Sequence, residues 1–229
     1  MKTIGLIGGM SWESTVTYYQ LLNEAAKERL GGLHSASLLL YSFDFSVIER
    51  LQSKGDWDAC AQLLSDAARA LEKAGAEMLL ICTNTQHKVA AQVQNAVTIP
   101  LIHIADATAE TLLEQGITKA ALLGTKYTMS EEFIRGRLEH AGIEVLVPTP
   151  DEIELVNHII FDQLCLGVID PESRTKIGHM IHSLAIKGAQ GVILGCTELG
   201  LLLRSEDSVL PLFDTTCIHA AKAAEMAMR

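Results

Sequence analysis

An internal duplication constrains the fold of this chain more than any other feature of its sequence. Three segments recur in the same order, at separations of 111 to 116 residues. Thr3–Met10, Ala74–Thr85 and Ile99–His103 align with Lys119–Lys126, Lys187–Glu198 and Leu210–Asp214. Such a separation far exceeds the roughly 20–50 residues of a solenoid repeat, so it predicts two homologous lobes that face each other across a cleft.

Short aliphatic segments alternate with longer stretches of helical periodicity. The predicted buried strands are Ile4–Gly8, Leu38–Phe43, Met78–Cys82, Pro100–Ile104, Ala120–Gly124, Glu144–Val147, Gln190–Gly195 and Leu210–Phe213. This alternation predicts an α/β fold of two similar lobes related by pseudo-twofold symmetry, each a small, mainly parallel four-stranded sheet flanked by helices. Ligands of such sheets bind beyond the carboxyl ends of the strands, so the active site is expected there, in the cleft between the lobes.

The composition argues against several kinds of partner and site. The 229 residues carry 18 basic and 28 acidic side chains, and the net charge of −10 opposes binding to nucleic acid or to an acidic membrane surface. No apolar run approaches the ~18 residues of a membrane span, and the N-terminus lacks a signal-peptide pattern, so a cytoplasmic location is expected. The five cysteines form no CxxC pair and the eight histidines no HExxH motif, so we expect neither a disulfide framework nor a metal site.

One cysteine stands where a reactive thiol is expected. Cys196 follows a predicted strand directly and precedes Thr197, Glu198 and a run with helical character. Backbone N–H groups at a helix N-terminus favour an anion and lower a thiol pKa, so Cys196 is predicted to be a base or nucleophile at neutral pH. The alternative, a buried apolar cysteine, is the better interpretation for Cys60, Cys165 and Cys217, which lie within helical patterns.

The duplication aligns Thr83 with Cys196. Thr83, Asn84 and Thr85 form a run of short polar side chains at the carboxyl end of a predicted strand, where each can bind a carboxylate or an ammonium group. Helix capping by one of the three is the alternative. The neighbouring Cys82 is expected to point to the opposite face of the strand and pack in the core. A rotation that brought Cys82 to the ligand side would make it an alternative to Thr83 at the position aligned with Cys196.

Two further loops are candidates for ligand contact. After the first strand, Gly8 and Gly9 would bring the backbone of Met10 and Ser11 close to a ligand, but the spacing is not GxGxxG and no Walker A pattern exists. The equivalent loop in the second half contains Thr125 and Lys126, which are predicted to meet an anion. The spacing of Thr128 and Glu131 there also predicts a capping box.

These motifs together resemble the aspartate/glutamate racemase family over essentially the whole chain. The strings that carry the resemblance are Ile4–Met10, Cys82–His87 and Gly195–Glu198, and the enterobacterial-type branch is favoured by Gly8–Ser14, His103–Thr108 and Leu122–Met129. The resemblance implies a metal-free enzyme that racemises aspartate, glutamate or a related amino acid without pyridoxal phosphate and usually forms a homodimer. It also implies that the C-terminal segment returns to the first lobe, which gives an N-terminal lobe of residues 1–98 and 208–229 and a C-terminal lobe of residues 99–207.

The resemblance assigns roles to residues on both sides of the site. One catalytic residue removes the Cα proton and the other delivers a proton to the opposite face. The family usually has cysteine at both positions, whereas this chain has Thr83 opposite Cys196, which predicts an asymmetric enzyme because a hydroxyl is a far weaker acid than a thiol. The expected substrate contacts are Met10, Ser11, Gln52, Asn84, Thr85, Thr125, Lys126, Thr197 and Glu198, with Arg50 and Cys165 added by a looser alignment.

Other activities on the same scaffold stay open at this point. A decarboxylase or cis-trans isomerase of a small dicarboxylate needs only one cysteine, and Thr83 is compatible with either. A noncatalytic small-molecule binding protein would need no activated thiol at Cys196.

Overall fold

The structure, a computed structural model, describes all 229 residues. In chain order the elements are β1 (Ile4–Gly8), α1 (Trp12–Leu30), β2 (Leu38–Ser42), α2 (Phe45–Ser53), α3 (Trp57–Lys73), β3 (Met78–Ile81), α4 (Ala90–Asn95), α5 (Ile104–Glu114), β4 (Lys119–Gly124), α6 (Lys126–Ser130), α7 (Glu132–His140), β5 (Glu144–Leu146), α8 (Pro150–Asp162), α9 (Pro171–Ile186), β6 (Gly191–Gly195), α10 (Leu199–Leu202), β7 (Leu212–Asp214) and α11 (Thr215–Ala227). Short 3₁₀ segments span Thr85–Val89, Leu164–Leu166 and Ser205–Asp207.

The chain divides into two compact units, each built on its own parallel sheet. The first comprises Met1–Ile104 and Thr216–Arg229, with strand order β2-β1-β3, and the second comprises Ala105–Thr215, with strand order β5-β4-β6-β7. The predicted α/β fold with two parallel sheets flanked by helices is therefore confirmed.

The first sheet has three strands, so the expectation of four strands in each lobe is wrong for this unit. The segment predicted as a further strand, Pro100–Ile104, pairs with β3 only through a bridge between Leu101 and Leu79. Proline has no N–H to donate, and the helix α5 begins at Ile104, so the segment is too short to continue the ladder.

The units also begin and end at residues other than the predicted ones. Leu79 donates its N–H to the Pro100 carbonyl (2.9 Å) and accepts from the Ile102 N–H (3.0 Å), which holds the chain after residue 99 in the first unit. The last strand, β7, pairs with β6 through Phe213 and Ile193, so it stays in the second unit. Only the final helix returns to the first unit.

Helices bury apolar side chains on both faces of the first sheet. Because strand residues alternate between faces, Ile4 and Leu6 pack with Tyr18 and Leu22 of α1 and with residues of α11, while Ile7 packs against α3 and α4 on the other face. In the second unit, a single large apolar cluster joins β4 and β6 to α8 and α9. None of the helices combines the length and the apolar character needed to cross a bilayer.

Candidate active site

In the first unit, β3 leads directly into the Thr83–Thr85 turn. The sheet pairing extends to Cys82, whose N–H donates to the Ile7 carbonyl (2.9 Å). Thr83 is half-buried, and Asn84 and Thr85 are buried at the start of the 3₁₀ segment. The cap position of that segment is Asn84, and its side chain makes no capping hydrogen bond. The capping alternative therefore does not account for these three polar side chains.

Cys82 lies in the apolar core. It has no exposed surface and packs in the same cluster as Leu80, on the face of the sheet covered by α1 and α11. Burial raises the pKa of the Cys82 thiol well above its ordinary value. This position disfavours Cys82 as a substitute for Thr83 in proton transfer.

Gln52 is joined to this turn through Gln86. Gln52 is buried on α2, and its Oε1 accepts a hydrogen bond from Gln86 Nε2 (3.1 Å), one residue beyond Thr85. Arg50 is exposed on the same helix. Residues two apart lie about 200° around a helix, so Arg50 is on the face of α2 opposite Gln52 and the structure does not bring it to the turn.

The loop after β1 gives the first unit a second polar segment. Gly9 has φ of +84°, and a Cβ at this position would lie 2.3 Å from the Phe43 carbonyl oxygen, so only glycine fits. Its N–H donates to Thr15 Oγ1 (2.8 Å), which holds the loop against α1. Met10 and Ser11 follow, both buried, and Ser11 is the N-cap of α1.

The second unit repeats this arrangement at the ends of β4 and β6. Gly124 and Gly195 pair in register, and a Cβ on Gly124 would lie 2.8 Å from the Gly195 carbonyl oxygen, so two glycines are needed for the close approach. Glu198 is buried next to this point, and its Oε2 accepts hydrogen bonds from Cys196 Sγ (3.0 Å) and Thr197 Oγ1 (2.6 Å).

The expectation of a lowered thiol pKa at Cys196 is wrong in this structure. Burial, the Glu198 carboxylate and its hydrogen bond with the thiol raise the pKa of Cys196 well above its ordinary value, and the neighbouring Cys165 contributes in the same direction. The helix after Cys196, α10, has only one turn, so the nearby carboxylate outweighs its dipole. In this state Cys196 is a protonated thiol that donates to a carboxylate.

The predicted anion contacts of the second unit are partly structural. Thr125 is the N-cap of α6 and accepts from the Thr128 N–H (3.4 Å), so the predicted Thr128–Glu131 capping box is wrong. The helix ends at Ser130, and Glu131 is the cap position of α7 without a side-chain capping bond. Lys126 is half-buried, and its N–H donates to Asn157 Oδ1 (3.0 Å).

Several buried polar residues of the first unit are not predicted as site residues from the sequence. Gln86, His87, His103 and His219 are each at most 7% exposed, which is unusual for these residue types. The histidine spacing matches no metal-ligand motif within one segment, because these three histidines come from separate segments. Two of them do stand in the strings that carry the family resemblance.

Comparisons with known proteins agree with this geometry. The sequence model of the Asp/Glu/hydantoin racemase family matches residues 7–223. The broad specificity amino-acid racemase RacX of Bacillus subtilis (strain 168) is 24% identical over 95% of this chain and 94% of that protein. The crystal structure of an Asp/Glu racemase candidate from Yersinia pestis is 54% identical with a TM-score of 0.94, and that of an aspartate racemase homologue from Pyrococcus horikoshii OT3 is 39% identical with a TM-score of 0.86; both cover 100% of each chain. The chain belongs to the Asp/Glu/hydantoin racemase family.

Proposed function

We propose that this protein is an isomerase that interconverts the enantiomers of aspartate, glutamate or a related amino acid without pyridoxal phosphate. The observation that carries the proposal is the Cys196 thiol, hydrogen-bonded to the buried Glu198 carboxylate at the position that the duplication aligns with Thr83. Family membership and the similarity to an amino-acid racemase of Bacillus subtilis support the same reaction class.

In the proposed mechanism, Thr83 and Cys196 act on opposite faces of the substrate Cα. Removal of the Cα proton leaves the C–H electron pair on the substrate, where it delocalises into the carboxylate group. Hydrogen-bond donors stabilise the charge that develops there, and Asn84, Thr85 and Thr197 are the proposed donors. A proton delivered to the other face then completes the inversion.

The Cys196–Glu198 pair can work in both protonation states. With the thiol protonated, as in this structure, Cys196 delivers a proton to the substrate. For Cys196 to act as the base, its proton passes first to Glu198, which already accepts the S–H hydrogen bond. A thiol with a raised pKa is a poor base on its own because it stays protonated. In the proposed mechanism Glu198 accepts that proton, and the resulting thiolate is the base.

The Thr83 face is expected to be the weaker one. The Thr83 hydroxyl makes no hydrogen bond within the chain, and a hydroxyl without an activating base is a poor proton acceptor. The equilibrium constant of racemisation is one, so kcat/KM must be equal in both directions. The asymmetry therefore appears in kcat and in the exchange of the Cα proton with solvent. This exchange is expected to be faster for one enantiomer than for the other.

Substrate contacts are proposed from both units. The proposed contacts are Met10, Ser11 and Gln52 of the first unit and Thr125 and Lys126 of the second. Lys126 supplies positive charge in a chain of net charge −10. Arg50 faces away from Gln52, so it is the weaker candidate, and the proposed substrates include amino acids less acidic than aspartate. Cys165 neighbours the Cys196 thiol and is kept as a proposed contact.

We further propose that the protein is a homodimer. Trp12, Val16 and Tyr19 are more than half exposed at i, i+4 and i+7 of α1, which forms an apolar stripe beside the buried face of the helix. The edge strand β2 of the same unit exposes Leu40 and Tyr41. Such a surface is typical of an interface that a second copy covers.

A single-cysteine decarboxylase is the second candidate. Only one position of the catalytic pair is a thiol, which suits protonation from one face alone. The fold is also similar to that of an unliganded arylmalonate decarboxylase, with 14% identity and a TM-score of 0.52, which supports only a common architecture.

The test is incubation of the purified protein, without and with added pyridoxal phosphate, with each enantiomer of aspartate and glutamate and a panel of other amino acids, followed by chiral chromatography. We expect inversion of at least one acidic amino acid without the cofactor, lost in Cys196→Ala. Inversion of no amino acid, with loss of carbon dioxide from a small malonate, would favour the decarboxylase. A protein that only binds small molecules would do neither.

A further inference from the structure

Three buried histidines pack together behind the Thr83–Thr85 turn. The ring of His87 lies edge-on to His103 and to His219, with centroid distances of 4.6 and 5.6 Å. His87 belongs to the 3₁₀ segment after the turn, and His219 to α11. The mechanism proposed above uses none of them.

The hydrogen bonds of His87 define its protonation state. Its Nε2 accepts the N–H of Ile104 (3.2 Å), and an amide N–H can only donate, so Nε2 carries no proton. Nδ1 is then the protonated nitrogen of a neutral ring, and it donates to the Thr83 carbonyl oxygen (2.8 Å). His87 thus connects Thr83 to the start of α5.

His219 continues this network to two other elements. Its Nε2–H donates to the Ile102 carbonyl (2.8 Å), and its Nδ1 accepts from the Tyr18 hydroxyl (2.8 Å). Ile102 and Ile104 flank His103, so α1, α11 and the chain entering α5 are tied to the turn that carries Thr83. The turn is therefore held by hydrogen bonds in addition to apolar packing.

The second unit has no counterpart of this support. The duplication aligns His87 with Gly200 and His103 with Asp214. A Cβ on Gly200 would lie 2.6 Å from Asp214 Oδ2, so the equivalent residues are also in contact. In this contact Gly200 supplies only backbone atoms and Asp214 supplies a carboxylate. The imidazole support is specific to the half of the duplication that has threonine in place of cysteine.

We propose that His87 is a positioning residue that holds Thr83 in register for proton transfer, through the hydrogen bond from its Nδ1–H to the Thr83 carbonyl oxygen. This inference rests on the proposed function. The bond fixes the peptide plane between Thr83 and Asn84, and with it the direction of the Thr83 side chain. A hydroxyl is a weak proton carrier, so its rate depends strongly on alignment, and a displacement of ~1 Å can cost about a hundredfold.

Two substitutions separate the two hydrogen bonds of His87. His87→Asn keeps a donor at the position of Nδ1 and loses the acceptor for Ile104. His87→Gln keeps an acceptor near the position of Nε2 and loses the donor to Thr83. His140→Gln is the matched control, since His140 makes the same bond four residues back, to the Gly136 carbonyl, on the exposed surface of α7.

The readout is a ratio measured in heavy water with both enantiomers of aspartate and glutamate, and it is taken for the enantiomer that exchanges faster. For that enantiomer, whose Cα–H faces Cys196, exchange with retention requires Cys196 alone, whereas inversion requires the Thr83 face as well. The ratio of inversion to exchange is independent of how much protein is folded. We expect the ratio to fall at least tenfold in His87→Gln and to stay within about threefold of the unmodified protein in His87→Asn and His140→Gln.

Two failures are distinguishable. If the unmodified protein neither exchanges nor inverts these substrates or the wider amino-acid panel, the proposed function fails. If the unmodified protein does both, and His87→Gln leaves the ratio unchanged or His87→Asn lowers it equally, then His87 is a purely structural residue and this inference is wrong.

Discussion

The Cys196 thiol donates a hydrogen bond to the Glu198 carboxylate at 3.0 Å, and this contact decides how the reactive residue can work. A carboxylate at this distance opposes ionisation of the thiol and yet provides a place for its proton. A second donor, Thr197 Oγ1, holds the same carboxylate oxygen at 2.6 Å, so Glu198 is fixed between the two side chains.

Glu198→Gln should separate these two effects. Removing the carboxylate lowers the pKa of Cys196, so alkylation of this thiol should begin at a lower pH, with the exposed Cys217 as reference in the same peptide map. Removing the proton acceptor should slow Cα–H exchange by about a hundredfold, within the range of a lost general base. Glu206→Gln, at an exposed glutamate of the same unit, is the control. Faster exchange in Glu198→Gln would contradict the proposed role.

Thr83→Cys should bring the two enantiomers closer together in their exchange rates. A thiol is a much stronger acid than a hydroxyl, so the slower face should gain at least tenfold. The measurement is Cα–H exchange of each enantiomer in heavy water. Thr83→Ser keeps the hydroxyl and should gain nothing. An unchanged ratio in Thr83→Cys would show that the chemistry on that face does not pass through residue 83.

His219 should make the protein less stable in acid. Burial lowers the pKa of His219 to about 4 from a usual value near 6.5, so the unfolded chain binds this proton more readily than the folded one. The stabilisation is complete above pH ~6.5 and is lost as the pH falls towards ~4, by about 3 kcal/mol in the free energy of unfolding.

Denaturant unfolding at pH 7 and at pH 4.5 measures this effect. His219→Gln keeps a donor for the Ile102 carbonyl and cannot titrate, so its free energy of unfolding should change less between the two pH values than that of the unmodified protein. Equal changes in both proteins would mean that His219 does not remain neutral in the folded state.

Val16→Asp should dissociate the proposed dimer. Val16 is 53% exposed between Trp12 and Tyr19, and a buried unpaired carboxylate in an apolar interface costs several kcal/mol. Sedimentation should report a dimer for the unmodified protein and a monomer for Val16→Asp, while Thr17→Asp, on the polar face of α1, should remain a dimer. A monomeric unmodified protein would contradict the proposed homodimer.

The sequence predicts the fold class and the approximate positions of the seven strands because both depend on local patterns. Apolar runs identify β1, β3, β4 and β6, and the duplication pairs the loops that follow them. The segment Pro100–Ile104 is apolar and predicts a strand, but Pro100 has no N–H to donate and α5 begins at Ile104, so the ladder stops at one bridge.

The electrostatics of the site are less accessible to sequence reasoning. The position of Cys196 before a helix predicts a lowered pKa, but the direction of the Glu198 side chain and the single-turn length of α10 reverse the sign. The same holds for the histidines, since His87, His103 and His219 meet only through the packing of distant segments. Contacts of this kind depend on the three-dimensional packing of distant segments and cannot be predicted from local sequence patterns.

Cα–H exchange in heavy water measures whether Cys196 and Thr83 are unequal partners in one racemisation. Each enantiomer of aspartate and glutamate is incubated with the unmodified protein and with Cys196→Ala, in the absence of pyridoxal phosphate. We expect the unmodified protein to exchange one enantiomer much faster than the other, and Cys196→Ala to lose the exchange of the faster enantiomer. Equal exchange from both enantiomers that survives Cys196→Ala would contradict this expectation.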